Sequence, residues 1–206
     1  MRIFILLLFS LLLFADEYPH FTQEQLSYIE KNVGVISKNR ILDYQNNIQN
    51  FKKLPKKEQL IRVNLYLNQL LPQYDDVIQK ELDHWATPKE FLVTGFGDCE
   101  DYAIIKYYTL IKLGFERKNL FLTTVREDRT NGYHMVLSYF EKKNESPLIL
   151  DNLSFRVLDL KTRSDLRADT FINSTGIYKI NKKNELLKIE KKSKQFQDLI
   201  ARVKKN

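Results

Sequence analysis

Cysteine is almost missing from this chain. Cys99 is the only one in 206 residues, so an intramolecular disulfide is impossible. Histidine is nearly as scarce, with His20, His84 and His134 alone, which leaves few side chains able to act as a base near neutral pH. Beyond the first residues no apolar run is long enough to span a bilayer, so no integral membrane segment is expected in the mature chain. Repeats, low-complexity linkers, nucleic-acid motifs and base-stacking patterns are absent too, and no nucleic-acid partner is expected. With 43% apolar and 12% aromatic residues, disorder is excluded as a description of the whole. The length suits one domain.

The one long apolar run opens the chain. Arg2 precedes it, residues 3–14 form it, and Ala15 and the acidic pair Asp16 and Glu17 follow. This is the layout of a secretory signal peptide, assigned to residues 1–15; an uncleaved anchor is the alternative. In an oxidising compartment a lone cysteine is either buried and inert or kept for chemistry. Charge is concentrated at the other end. From Lys179 onward there are ten basic and three acidic residues, a surplus equal to the chain's net +7. Leu186, Ile189, Phe196, Leu199, Ile200 and Val203 fall near helical spacing there, so residues 181–206 are expected to form a basic helix packed on a domain spanning 16–180.

Residues 22–92 read as helices. "TQEQLSYIEKNVG" has a capping Thr22 and stops at Gly34, "SKNRILDYQNNIQNFKKL" stops before Pro55, and "KKEQLIRVNLYLNQLL" stops at Pro72. "DDVIQKELDHW" is a shorter helical piece, and "TPKEFL" opens on a cap-like Thr87 with proline in the first turn. A further helix is expected from Cys99 to about Leu113, with Ala103, Tyr107, Leu110 and Ile111 inward and Gly114 as its stop. The period then changes. "NLFLTTVRE", "YHMVLSYFE" and "SPLILDNL" read as strands, and "RVLDLKTR" and "TFINSTGIYKI" add one or two more. Helices, one cysteine-bearing helix and then an antiparallel sheet make a segregated α+β domain.

The chemistry centres on "TGFGDCEDYAIIKYYTLIKLG". A thiol at a helix N-terminus gains from the partial positive charge there. The preceding "GFG" permits close backbone approach, and N–H groups at that end suit an oxyanion. Yet Asp98, Glu100 and Asp101 crowd the thiol and oppose its ionisation. One account is capping, with Asp98 at the cap and Asp101 in the first turn. His134 opens a strand, and Asp151 ends the next one. Adjacent antiparallel strands could join them as a base and its orienting carboxylate; an ordinary turn role for Asp151 is the alternative.

"DHWATPKEFLVTGFGDCEDYAIIKYYTLIKLGF", followed by "HMVLSYF", "PLILDNL" and "RSDL", resembles the bacterial transglutaminase-like cysteine proteinases. Within them it is most similar to the periplasmic LapG-type proteases that release biofilm adhesins. The resemblance runs from about Leu60 to Tyr178. It implies a papain-like/transglutaminase-like fold and a Cys99–His134–Asp151 triad. It also implies a calcium (Ca2+) site whose matching acids are Asp98 and Glu100, and calcium's preference for oxygen ligands agrees with that. By the same resemblance the substrate is a large surface adhesin, cut near its N-terminus at a paired-alanine site, with Trp85 narrowing the cleft. The implied partner is an inner-membrane cyclic di-GMP receptor whose periplasmic domain withholds the protease. The family pattern has an aromatic where His84 stands. Alternatives are a transglutaminase or amidase using the same triad, a non-catalytic binding module of the same fold, and a peptidoglycan-directed hydrolase.

Overall fold

Thr22 caps the first helix in a reciprocal capping box with Gln25. That helix, α1 (Gln23–Asn32), turns at Gly34 into α2 (Val35–Phe51), and Pro55 opens α3 (Lys56–Leu67). The structure is a computed structural model that describes residues 18–72, 84–142, 144–181, 183 and 185–206. The expected signal peptide and the piece "DDVIQKELD" lie outside them. Helix α3 stops at Leu67, one turn short of the expected end at Pro72. Asn68 caps it and donates instead to the carbonyls of Asp151 and Ser154, at 2.7 and 3.0 Å. A two-residue strand, β1 (Leu71–Pro72), then pairs in parallel with β2 (Phe96–Gly97).

Thr87 and Glu90 form the capping box of α4 (Pro88–Thr94), with proline in the first turn as the sequence reads. Helix α5 (Cys99–Lys112) follows. Its residues from Asp101 to Leu110 are all buried, so it has no single inward stripe; Ile111, expected inward, is only partly buried. A helix covered on all sides is the physical reason: α3 and α4 flank it and the sheet lies beneath.

The sheet has seven strands in the order β6-β5-β4-β3-β7-β8-β9, antiparallel throughout. They are β3 (Leu120–Glu127), β4 (Tyr133–Tyr139), β5 (Leu148–Asp151), β6 (Ser154–Asp159), β7 (Leu166–Asn173), β8 (Gly176–Ile180) and β9 (Leu186–Glu190). The C-terminal segment corrects the expectation of one basic helix. Leu186 and Ile189 sit in β9, where alternation replaces helical period, and only α6 (Lys194–Lys205) is helical. Phe196, Leu199 and Val203 bury its apolar face, and Phe196 meets Tyr107 of α5 edge-on at 5.7 Å. Among the described residues no helix is long and apolar enough to cross a membrane.

Candidate active site

Helix α5 begins at the thiol. Asp98 is its N-cap: the Asp98 side chain accepts from the Asp101 amide, and the Asp101 side chain accepts from the Asp98 amide. Asp101 also accepts from the Ala86 amide at 2.7 Å and is buried, so it ties the 84–87 segment to the cysteine helix. The capping account of Asp98 and Asp101 is thus realised. Gly97 provides a close approach, but to a side chain: a Cβ there would lie 2.6 Å from Asp101 Oδ2 and 3.0 Å from the Phe91 ring.

The Cys99 thiol is in a poor state to react. Sγ donates to Glu100 Oε2 at 3.0 Å. Burial raises its pKa far above the usual thiol range, and the charges of Glu100 and Asp98 push the same way, against a smaller lowering by the Met135 backbone. That last contact places the thiol against β4, one residue from His134.

His134 and Asp151 come together as the strand reading anticipated. His134 Nε2 donates to Asp151 Oδ1 at 2.8 Å, which leaves Nδ1 as the ring nitrogen not used by the carboxylate. Asp151 is 1% exposed, and its second oxygen accepts from Arg163 Nη2 at 2.8 Å. Burial alone would raise its pKa. The hydrogen bond and charge of His134, the Leu153 amide and Arg163 outweigh it and hold the carboxyl down at about 2. Arg163 is itself gripped by Asp165, through Nε at 2.9 Å and Nη2 at 2.7 Å. A cavity of about 400 Å³ opens beside His134 and Asp151, with Glu127, Arg156 and Leu166 on its walls.

Trp85 is 4% exposed and packs in the main core. It is a core residue and offers no exposed contact to a substrate. Its carbonyl accepts from Arg202 of α6, which also reaches Glu90 at 3.1 Å. His84, the departure from the family pattern, lies 3.4 Å from Arg202, so the change falls where the terminal helix docks.

Asp98 and Glu100 are oxygen donors of the kind a calcium ion takes, adjacent to the thiol, but two carboxylates are an incomplete shell. Among the described residues no group of three or more His, Cys, Asp or Glu side chains forms a metal site. The donors fit in kind; backbone carbonyls or other side chains must supply the rest.

Sequence reasoning missed Arg163, although it sits in the "RSDL" block. Its partner is twelve residues away and only the fold joins them.

An α+β domain carrying this cysteine helix on an antiparallel sheet has the form of a transglutaminase-like cysteine proteinase. The family model described as bacterial transglutaminase-like cysteine proteinase matches residues 40–167. The chain belongs to that family. Among solved structures it is similar to Legionella pneumophila LapG. The calcium-bound form is 32% identical, with TM-score 0.73, over 88% of this chain and 99% of that one. The EGTA-treated form is 32% identical, with TM-score 0.75, over 90% and 99%. No curated protein sequence matches. The chain is therefore a cysteine protease of the LapG type.

Proposed function

We propose that the protein is an exported, periplasmic, calcium-dependent cysteine endopeptidase that cuts a large surface adhesin near its N-terminus and so promotes biofilm dispersal. Cys99, His134 and Asp151 are its catalytic triad. The observation that carries this reading is the 2.8 Å bond from His134 Nε2 to Asp151 Oδ1, in a strand whose next residue, Met135, hydrogen-bonds the Cys99 sulfur through its backbone.

The chemistry follows from these positions. His134 Nδ1 takes the thiol proton, and the thiolate attacks the scissile carbonyl carbon. Backbone N–H groups at the start of α5 hold the oxyanion. The imidazolium protonates the leaving amine as the C–N bond breaks. Water then gives a proton to His134 and attacks the thioester, and Cys99 leaves. Asp151 stays ionised and supports the charged imidazole throughout. Asp98 and Glu100 would hold calcium, whose positive charge would offset theirs beside the thiol. Support for calcium comes from the donor type and from the calcium-bound and EGTA-treated forms of the Legionella relative. The adhesin, and an inner-membrane cyclic di-GMP receptor as partner, are proposed on the LapG type. Trp85 shapes the cleft from within the core.

The test is intact-mass spectrometry of an adhesin's N-terminal fragment incubated with the mature protein in calcium, in chelator, and with Cys99→Ala. Two fragments, formed only with both calcium and Cys99, are expected. An intact fragment carrying the mass of an added amine donor would instead assign a transglutaminase. An unaltered fragment in every tube, for adhesins presented with their retention module, would overturn the protease reading.

A further inference from the structure

Asp151 lies where strand pairing has run out. The β4–β5 ladder pairs Tyr139 with Leu148 and Ser138 with Ile149, and its last pair before Asp151 is Leu137 with Leu150. The β5–β6 ladder slips in register between Ile149 and Asp151. Past Leu150, main-chain bonds to the strand of His134 therefore no longer fix β5. The bond from His134 to Asp151 is nevertheless short, and two side chains meet that closely only if both backbones are held. His134, Arg163 and the Leu153 amide hold the carboxylate. The Asp151 backbone needs a separate hold.

Helix α3 supplies one. Asn68 Nδ2 directs both of its N–H groups at the β5–β6 turn, to the Asp151 carbonyl at 2.7 Å and the Ser154 carbonyl at 3.0 Å. Asn64, one turn earlier on the same face and fully buried, donates to the Ser154 carbonyl at 2.8 Å. The end of α3 is itself tied down. The Leu70 carbonyl, two residues beyond Asn68, accepts from the Tyr102 hydroxyl of α5 at 2.5 Å. Leu71 and Pro72 then pair with Phe96 and Gly97. The chain that grips the Asp151 turn is thus fastened on both sides of Cys99, to Gly97 before it and Tyr102 after it.

We propose that Asn68 is a positioning residue for the triad: its side-chain amide, backed by Asn64, pins the Asp151 main chain to the end of α3 and so sets where the carboxylate meets His134. This rests on the protease reading for its readout of turnover. Asn68 acts through Asp151 and not on the reacting atoms. Helix capping does not account for the placement. Asparagine suits helix C-terminal ends because it tolerates the left-handed region, but Asn68 has φ −70°. Its side chain, not its backbone, is what the site uses, and both donors go to another element.

The experiment compares the wild-type mature protein with Asn68→Ala, Asn68→Gln and Tyr66→Phe. The last is a control: it removes a bond from the same helix to Asp43 of α2, away from the turn. Three quantities are measured: thermal midpoint, kcat and KM on the adhesin fragment, and the midpoint of the His134 imidazole titration by NMR. Asn68→Ala is expected to lower kcat about tenfold or more with KM kept. It should also lower the His134 midpoint, because a carboxylate drawn off the ring favours the charged imidazole less. Asn68→Gln, whose amide stands one methylene out of place, should fall between alanine and wild type. Tyr66→Phe should lower the thermal midpoint alone. A His134 midpoint equal to wild type in folded Asn68→Ala would overturn the proposal, since stability would then be all that Asn68 supplies. If the alanine variant does not fold, Asn68→Gln is judged on the same criterion. An equal shift in Tyr66→Phe would overturn it too, since any loosening of α3 would then suffice. The NMR titration needs no substrate, so it reads Asn68 even if the wild type fails to cut an adhesin, a failure that would count against the protease reading instead.

Discussion

The two halves of the site differ in readiness. On the sheet, Asp151 is buried, ionised and held by His134, Leu153 and Arg163. On the helix, Cys99 donates to a carboxylate, and both burial and neighbouring charge keep its proton on. In the proposed triad the base is assembled and the nucleophile is restrained. A hydrolase that must not cut at the wrong time is best controlled where little structure has to move, and neutralising two carboxylates moves less than rebuilding a hydrogen-bonded strand pair. The comparison locates control at the thiol and precision at the histidine.

The largest expected effect on the prepared half comes from Arg163→Met. It leaves Asp151 buried with one partner fewer. Breaking a buried ion pair costs about 3 kcal/mol, and a shift of about 1 Å at His134 costs up to about 100-fold in kcat. The pH dependence sharpens this. The carboxyl pKa of Asp151 is lowered to about 2 on folding, from about 3.9 in an unfolded chain. Its contribution is therefore complete above about pH 4–5 and is lost as pH falls toward 2. Without Arg163 the folded value rises, so the contribution is smaller and its loss is complete at higher pH. Urea titrations of both proteins between pH 2 and 7 check it; parallel curves would show that Arg163 does not hold the carboxylate.

The restrained half is tested by alkylation of Cys99 at matched pH. In the wild type the rate should fall when calcium is chelated. Glu100→Gln replaces the charged acceptor of the thiol hydrogen bond with a neutral amide oxygen and so removes one negative charge. In chelator it should therefore react about tenfold faster than wild type, since one pKa unit is tenfold in thiolate, while losing most of its response to calcium. A variant as slow as wild type in chelator would break the contrast between the halves and leave burial alone as the restraint.

Much of this was legible in the residues. Capping threonines at 22 and 87, the proline after Thr87 and the change of period after Gly114 are local signals, and local interactions decide them. The pairing of His134 with Asp151 followed from strand order, because an antiparallel neighbour brings the end of one strand beside the start of the other. The misreadings are tertiary. Helix α3 stops early because Asn68 is drawn to the Asp151 turn, and no neighbour in sequence announces that. The segment from Leu186 to Glu190 pairs with β8, although its apolar spacing also suits a helix. Arg163 belongs to the site through a bond to Asp151 twelve residues away, which spacing cannot display.

The smallest expected effect lies at the terminal helix and asks whether the two halves share a support. Arg202 joins α6 to the Trp85 carbonyl and to Glu90, and Asp101 joins the same 84–87 segment to the cysteine helix. Arg202 is partly exposed, so solvent screens the pair with Glu90. Arg202→Met should therefore cost only about 1 kcal/mol, a fall of about 2–4 °C in thermal midpoint for a chain of this size. Its discriminating readout is elsewhere. The Trp85 segment is tied to the start of α5 through Asp101, so loosening it should change the Cys99 alkylation rate and leave the His134 titration where it was. A shift in both would mean that the tail braces the whole site. A shift in the histidine alone would place its influence on the sheet and reverse the division drawn between the two halves.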